Sequence, residues 1–143
     1  MEKIGICSDH AGFELKEKLK VVLLNKGYDV IDFGTDSDAS CDYPDFAHKL
    51  GYAIDSEELL RGISICGSGN GISMTMNKHP KVRAALCWSK EIAELARKHN
   101  DANVCSMPAR FISYQSALDI LDTYLTTAFE GGRHQARIDK IAL

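Results

Sequence analysis

No stretch of this chain approaches the roughly 20 consecutive apolar residues needed to cross a bilayer, and no CxxC pair occurs among its cysteines. The first absence leaves no expectation of a membrane partner. The second matters because the cysteines number five, Cys7, Cys41, Cys66, Cys87 and Cys105. An odd set without paired spacing argues against a disulfide framework or a zinc ribbon and fits reduced thiols in the cytosol. The opening MEKIGICSDH has neither an apolar signal core nor a cleavage site, so the expected location is cytoplasmic. A basic excess is missing too. Seventeen Lys and Arg against 20 Asp and Glu leave a formal charge of −3, which is not the face of a nucleic-acid binder. Internal repeats and low-complexity segments are also absent. What remains is 143 residues, 45% apolar and 26% charged, the composition of one globular domain spanning 1–143.

Along the chain, short apolar runs alternate with amphipathic stretches. Strands are predicted at Lys3–Cys7, Tyr28–Phe33, Gly62–Cys66, Val82–Cys87 and Val104–Met107. Helical spacing predicts a helix over Ala11–Asn25, on Phe13, Leu15, Leu19, Val22 and Leu23. Pro44 opens another, to about Ser56, because a first-turn N–H has no partner to lose. A short helix is expected from Ile72 to about Asn77. Ser89 and Ser113 read as N-caps of the next two. After Glu130-Gly131-Gly132, a last helix should run from Arg133 to about Ile141. Strands separated by helices give an α/β fold: one doubly wound, Rossmann-like domain whose five-stranded parallel sheet carries helices on both faces. Ligands of such sheets sit beyond the carboxyl ends of the strands. The segments to search are therefore 8–12, 66–71 and 108–110.

The glycine cluster Gly67-Ser68-Gly69-Asn70-Gly71 is not a dinucleotide fingerprint, a P-loop or a nucleophile elbow, because each motif lacks a required residue here. What survives is a strand, a cysteine and a glycine-rich entry into a helix. Such a loop aims several backbone N–H groups at one spot, an anion hole for a phosphate or a developing oxyanion. A tight turn that merely needs glycine is the alternative. Cys66 stands at its mouth, where amides stabilise a thiolate, while Cys7, Cys87 and Cys105 read as small core residues. Asp9 and His10 follow the first strand. His99 and Asn100 close a helix, where histidine is often only a partner for the helix dipole. Arg133 and Arg137, four apart, form a fork suited to phosphate or carboxylate, or else a solvated basic face. Arg110 follows the last strand. The acidic stretch from Asp29 to Asp45 reads as a solvated loop with Tyr43 facing a ligand, and Cys41 receives no role. No metal-ligand spacing occurs, so no metal is expected. A thiol beside an oxyanion hole suits proton abstraction next to a carbonyl, and equally suits acyl transfer by a cysteine nucleophile.

The blocks SDHAGFELK, DYPDFA, ICGSGNGIS, RKHNDANV and EGGRHQARI, in this order and spacing, closely resemble the type B ribose-5-phosphate isomerases over essentially the whole chain. The resemblance implies a metal-free and cofactor-free interconversion of ribose 5-phosphate and ribulose 5-phosphate through a cis-enediolate, in the non-oxidative pentose phosphate pathway. It implies that Cys66 is the base and that the amides of Gly67, Ser68, Gly69, Asn70 and Gly71 hold the enediolate oxygen with Asn100. Ser68 stands where threonine is frequent, and its hydroxyl is expected to polarise Cys66 or shuttle a proton. His99 would open the furanose ring, Asp9 and His10 would bind the sugar or its phosphate, and Arg110, Arg133 and Arg137 would grip the phosphate. The resemblance further implies a homodimer, sometimes paired into a tetramer, with the C-terminal helix reaching a neighbouring subunit's site. Related enzymes of 6-phosphate hexoses (allose or galactose 6-phosphate) set the first alternative. A non-catalytic phosphosugar-binding module is the second.

Overall fold

The computed structural model describes residues 1–143 and contains one parallel five-stranded sheet. Its strands are β1 (Lys3–Ser8), β2 (Asp29–Asp32), β3 (Gly62–Cys66), β4 (Ala84–Leu86) and β5 (Val104–Pro108). The helices are α1 (Phe13–Asn25), α2 (Tyr43–Asp55), α3 (Asn70–Met76), α4 (Lys90–Asn100), α5 (Tyr114–Thr126) and α6 (Arg133–Asp139). No helix is long and apolar enough to cross a membrane. The strand order is β2-β1-β3-β5-β4. From β1 the chain steps outward to β2, then returns past β1 to β3. The loops after β1 and β3 therefore diverge and open a crevice at that switch point.

Alternation along each strand divides the core into two layers. Ile4, Ile6, Ile63, Ile65, Cys105 and Met107 face α1, α4 and α5, where Leu19, Leu23, Ala93, Ile120, Leu121 and Tyr124 meet them. Cys7, Cys66 and Val104 face α2 and α3, against Leu50, Ile54, Ile72 and Met76. Burying each large aliphatic side chain contributes about 1.5–3 kcal/mol, so both helical layers are fixed by the sheet they cover. The caps form as expected: Ser89 Oγ accepts from the Ile92 amide at 3.3 Å and Ser113 Oγ from the Ser116 amide at 3.0 Å.

Several boundaries differ from the sequence expectation. The helix expected from Ala11 starts at Phe13, because the Asp9 carboxylate accepts from the Gly12 amide at 3.1 Å and closes a 3-10 turn over His10–Gly12 first. The helix expected from Ile72 begins two residues earlier, at Asn70. Gly69 takes φ 76° there, a left-handed turn that a Cβ would strain, and it aims the chain straight into α3. β4 is shorter than Val82–Cys87. The Arg83 amide is taken by Asn103 Oδ1 at 2.7 Å, and Asn77 brackets Ala84 through both its amide atoms, at 2.8 and 3.0 Å. α6 ends at Asp139, before Ile141. The acidic segment 34–43 is not simply solvated. Thr35 donates to Ser8 O at 2.9 Å, and the Cys41 main chain meets His10 Nδ1 at 3.2 Å.

Candidate active site

Three strand ends are stitched together by backbone hydrogen bonds. The Asp9 amide donates to Ile65 O at 3.2 Å, the Ala109 amide to Cys66 O at 3.0 Å and the Arg110 amide to Gly67 O at 3.0 Å. Above them opens a cavity of about 450 Å³, lined by Asp9, His10, Ala11, Tyr43, Cys66, Gly67, Ser68, Gly71, Arg110 and Phe111. A larger groove of about 520 Å³ runs from Asn77 to the C-terminal residues, but it lies off the strand ends and holds no nucleophile. Chemistry, not volume, selects the first.

Cys66 is the last residue of β3, 4% exposed, its side chain on the α2/α3 side. The amides of Gly67, Ser68, Gly69 and Gly71 donate to no protein acceptor, while that of Asn70 donates to Ser68 Oγ at 3.3 Å. Unpaired donors beside a thiol are the elements of an oxyanion hole. Tyr43, first residue of α2, lays its ring against Gly71, where any Cβ would collide with it. Asp9 is 6% exposed and keeps one oxygen on the Gly12 amide. Arg110 is exposed and makes no ion pair, which leaves its guanidinium for a ligand. Among the other thiols, burial pushes Cys7 far above the usual range. The hydrogen bond with Cys87, reinforced by burial, does the same to Cys105. Both stay protonated and inert.

The structure thus gathers Asp9, His10, Tyr43, Cys66, Gly67, Ser68, Gly71 and Arg110 around one cavity; Gly69 and Asn70 form its loop without lining it. It does not bring His99, Asn100, Arg133 and Arg137 there. α4 carries the chain back across the sheet, so His99 and Asn100 end it on the amino side of β5, at the opposite edge from Cys66. There α6 packs on α4, and His134 stacks on His99 with ring centroids 4.3 Å apart and planes 15° apart. Arg133 and Arg137 project from α6, exposed and without an acidic partner. His134 and Glu130 were missed by sequence reasoning. Their proximity to His99 spans separations of 35 and 31 residues and carries no local signal.

Ligand atoms of His99, Glu130 and His134 lie within 4.8 Å of one another. A metal must lie near the plane of each imidazole that binds it, since the lone pair is in that plane. Nearly parallel stacked rings have no common point of that kind, so in this arrangement the trio is a stack and not a chelate.

The chain matches the ribose/galactose isomerase family over residues 4–141. The chain belongs to that family. Among its relatives, the ribose-5-phosphate isomerase B of Escherichia coli K12 is 41% identical over 141 residues, covering 99% of this chain and 95% of that protein. A probable ribose-5-phosphate isomerase B of Mycoplasma genitalium is 45% identical over 141 residues, 96% of this chain and 92% of that protein. In structure, the Clostridium thermocellum ribose-5-phosphate isomerase B superposes with a TM-score of 0.96 at 50% identity, covering 97% of this chain and 94% of that one. The Mycoplasma genitalium enzyme, solved with bound ribulose-5-phosphate, gives 0.93 at 43% identity, with 97% and 93% covered.

Proposed function

We propose that this member of the family is an aldose–ketose isomerase that interconverts ribose 5-phosphate and ribulose 5-phosphate. The observation that carries the reading is the Cys66 thiol in the cavity beside the unpaired amides of Gly67, Ser68 and Gly71. As thiolate, Cys66 takes the proton from C2 of the open-chain aldose. The electrons move through C1 to the carbonyl oxygen, and the amides meet the charge that develops there. Such preorganised donors act where charge appears only in the transition state. Cys66 then returns the proton to C1, while a proton passes from the C2 hydroxyl to the C1 oxygen, a transfer within reach of the Ser68 hydroxyl. Amides meet the charge, so no step requires a metal. Arg110, with Asp9 and His10, holds the sugar phosphate away from the reacting carbons.

Two half-sites lie at opposite edges of one sheet. A two-fold dimer pairs each Cys66 cavity with the partner's His99, the partner's Asn100, the partner's Arg133 and the partner's Arg137. In that assembly the partner's His99 is the proton donor to the ring oxygen. Further pairing into a tetramer leaves this pairing unchanged. The proposal includes a reducing, cytoplasmic setting, supported by five unpaired thiols.

The test is turnover of ribose 5-phosphate by the purified protein with EDTA present. Wild type should convert it, and Cys66→Ala should lose about 10²-fold or more of kcat while still binding the sugar phosphate. Undiminished kcat in Cys66→Ala removes the thiol base. An inert wild type directs the assay to 6-phosphate hexoses, and inertness there as well favours a binding module.

A further inference from the structure

The His99–His134 stack has no assigned role. His134 is 8% exposed, unusually enclosed for a polar residue on a terminal helix. Two backbone bonds hold it: the Glu130 amide donates to Lys98 O at 3.1 Å, tying the turn to the end of α4, and the His134 amide donates to Gly131 O at 3.3 Å. Gly131 and Gly132, at φ 73° and 59°, fold the chain back so that the His134 ring lands flat on His99. We infer that His134 is a positioning residue for ring opening: its imidazole fixes the plane of His99, so that the edge bearing the proton faces the furanose oxygen. This rests on the ring-opening role given to His99 above.

Charged groups surround the stack on both helices. Lys98 and Asn100 flank His99 on α4; Arg133 and Arg137 flank His134 on α6; Glu130 Oε2 lies 3.7 Å from His134 Nε2. Burial, then His99 and Arg133, push His134 below the usual histidine range, against the pull of Glu130. His134 offers its ring face to the His99 ring across the stack.

The experiment separates ring opening from enolisation. Ribulose 5-phosphate is open-chain, since its free hydroxyls cannot close a five-membered ring. Exchange of solvent deuterium into its C1 therefore reports the Cys66 step alone, while conversion of ribose 5-phosphate also needs the ring opened. His134→Ala should lower kcat on ribose 5-phosphate about tenfold or more, with C1 exchange within about twofold of wild type. His134→Phe, which keeps a flat ring, should recover most of the loss, and His134→Gln should not. Thermal melts check folding, and the Phe variant preserves the test if the Ala variant unfolds. The inference is overturned if His134→Ala converts ribose 5-phosphate normally, if exchange falls in step with conversion, or if Gln rescues and Phe does not. His99→Asn with full conversion removes the underlying role of His99, and the inference with it. A wild type that neither converts nor exchanges instead removes the isomerase reading.

Discussion

At Gly71 two preferences oppose each other. The position is helical, where alanine is favoured over glycine by about 1 kcal/mol. Yet a Cβ there runs into the Tyr43 ring, and overpacking of that kind costs about 1–3 kcal/mol. The second effect wins if Tyr43 cannot retreat, and α2 holds it by its first turn. Gly71→Ala is therefore expected to lower the melting temperature and, by pushing the ring into the cavity, to raise KM for the sugar phosphate. In a Tyr43→Ala background the same change should cost nothing further, because the clash is gone. Strict additivity of the two substitutions, in melts and in KM, would contradict the contact.

Beneath the cavity wall, α1 is braced to β2 by a buried amine. Lys16 is 1% exposed and reaches Asp32 Oδ2 at 2.7 Å and Glu17 Oε2 at 2.9 Å, while Lys20 reaches the same Asp32 oxygen at 2.9 Å. Burial alone would push the Asp32 carboxyl up, but bonds from Lys16, Lys20 and the Gly34 amide outweigh it and hold it below its usual range. Hydrogen bonding from Lys16 lowers Glu17 likewise. Groups with depressed folded values stabilise above their unfolded pKa, about 3.9 for Asp and 4.3 for Glu, and lose that contribution as pH falls through the folded values. Urea midpoints should thus drop steeply below about pH 4 in wild type. Lys16→Met should flatten that drop and lower the neutral-pH stability by about 1–3 kcal/mol. An unchanged slope would show that the brace is not what titrates. None of this is legible in the sequence, where Lys16 is one of several lysines on an amphipathic helix. The strands, both serine caps and the glycine loop after Cys66 are legible because their signals are local: β-branched runs, a cap one residue before a periodic stretch, glycines at a strand end. The early start of α3 is hidden because Asn70 and Gly71 are poor helix formers that the Gly69 turn forces into register. The chain Asp55–His79–His48, with contacts of 2.8 Å at each link, joins α2 to the turn before β4 and leaves no trace in local pattern.

Across the whole molecule, the division of the candidate site between two edges of the sheet has a consequence that mixing can expose. Cys66 and its amides sit at the carboxyl edge, and His99 with the α6 arginines at the amino edge. If each working site joins one edge of one subunit to the other edge of its mate, Cys66→Ala and His99→Asn damage different halves. A hybrid dimer then holds one site with both lesions and one with none. Random reassortment of equal amounts makes half of the dimers hybrid, each with one of its two sites intact, so two nearly inactive preparations should recover about a quarter of wild-type conversion of ribose 5-phosphate. Were each site built within one chain, every site in the mixture would keep its own lesion and no activity would return. The control is a mixture of Cys66→Ala with the Cys66→Ala/His99→Asn double variant, in which no intact site can form under either architecture. Recovery in the first mixture and none in the second would require that catalytic groups from two chains meet. Silence in both, with hybrid dimers demonstrated by native mass spectrometry, would return the whole site to a single chain and leave the His99 stack outside the chemistry.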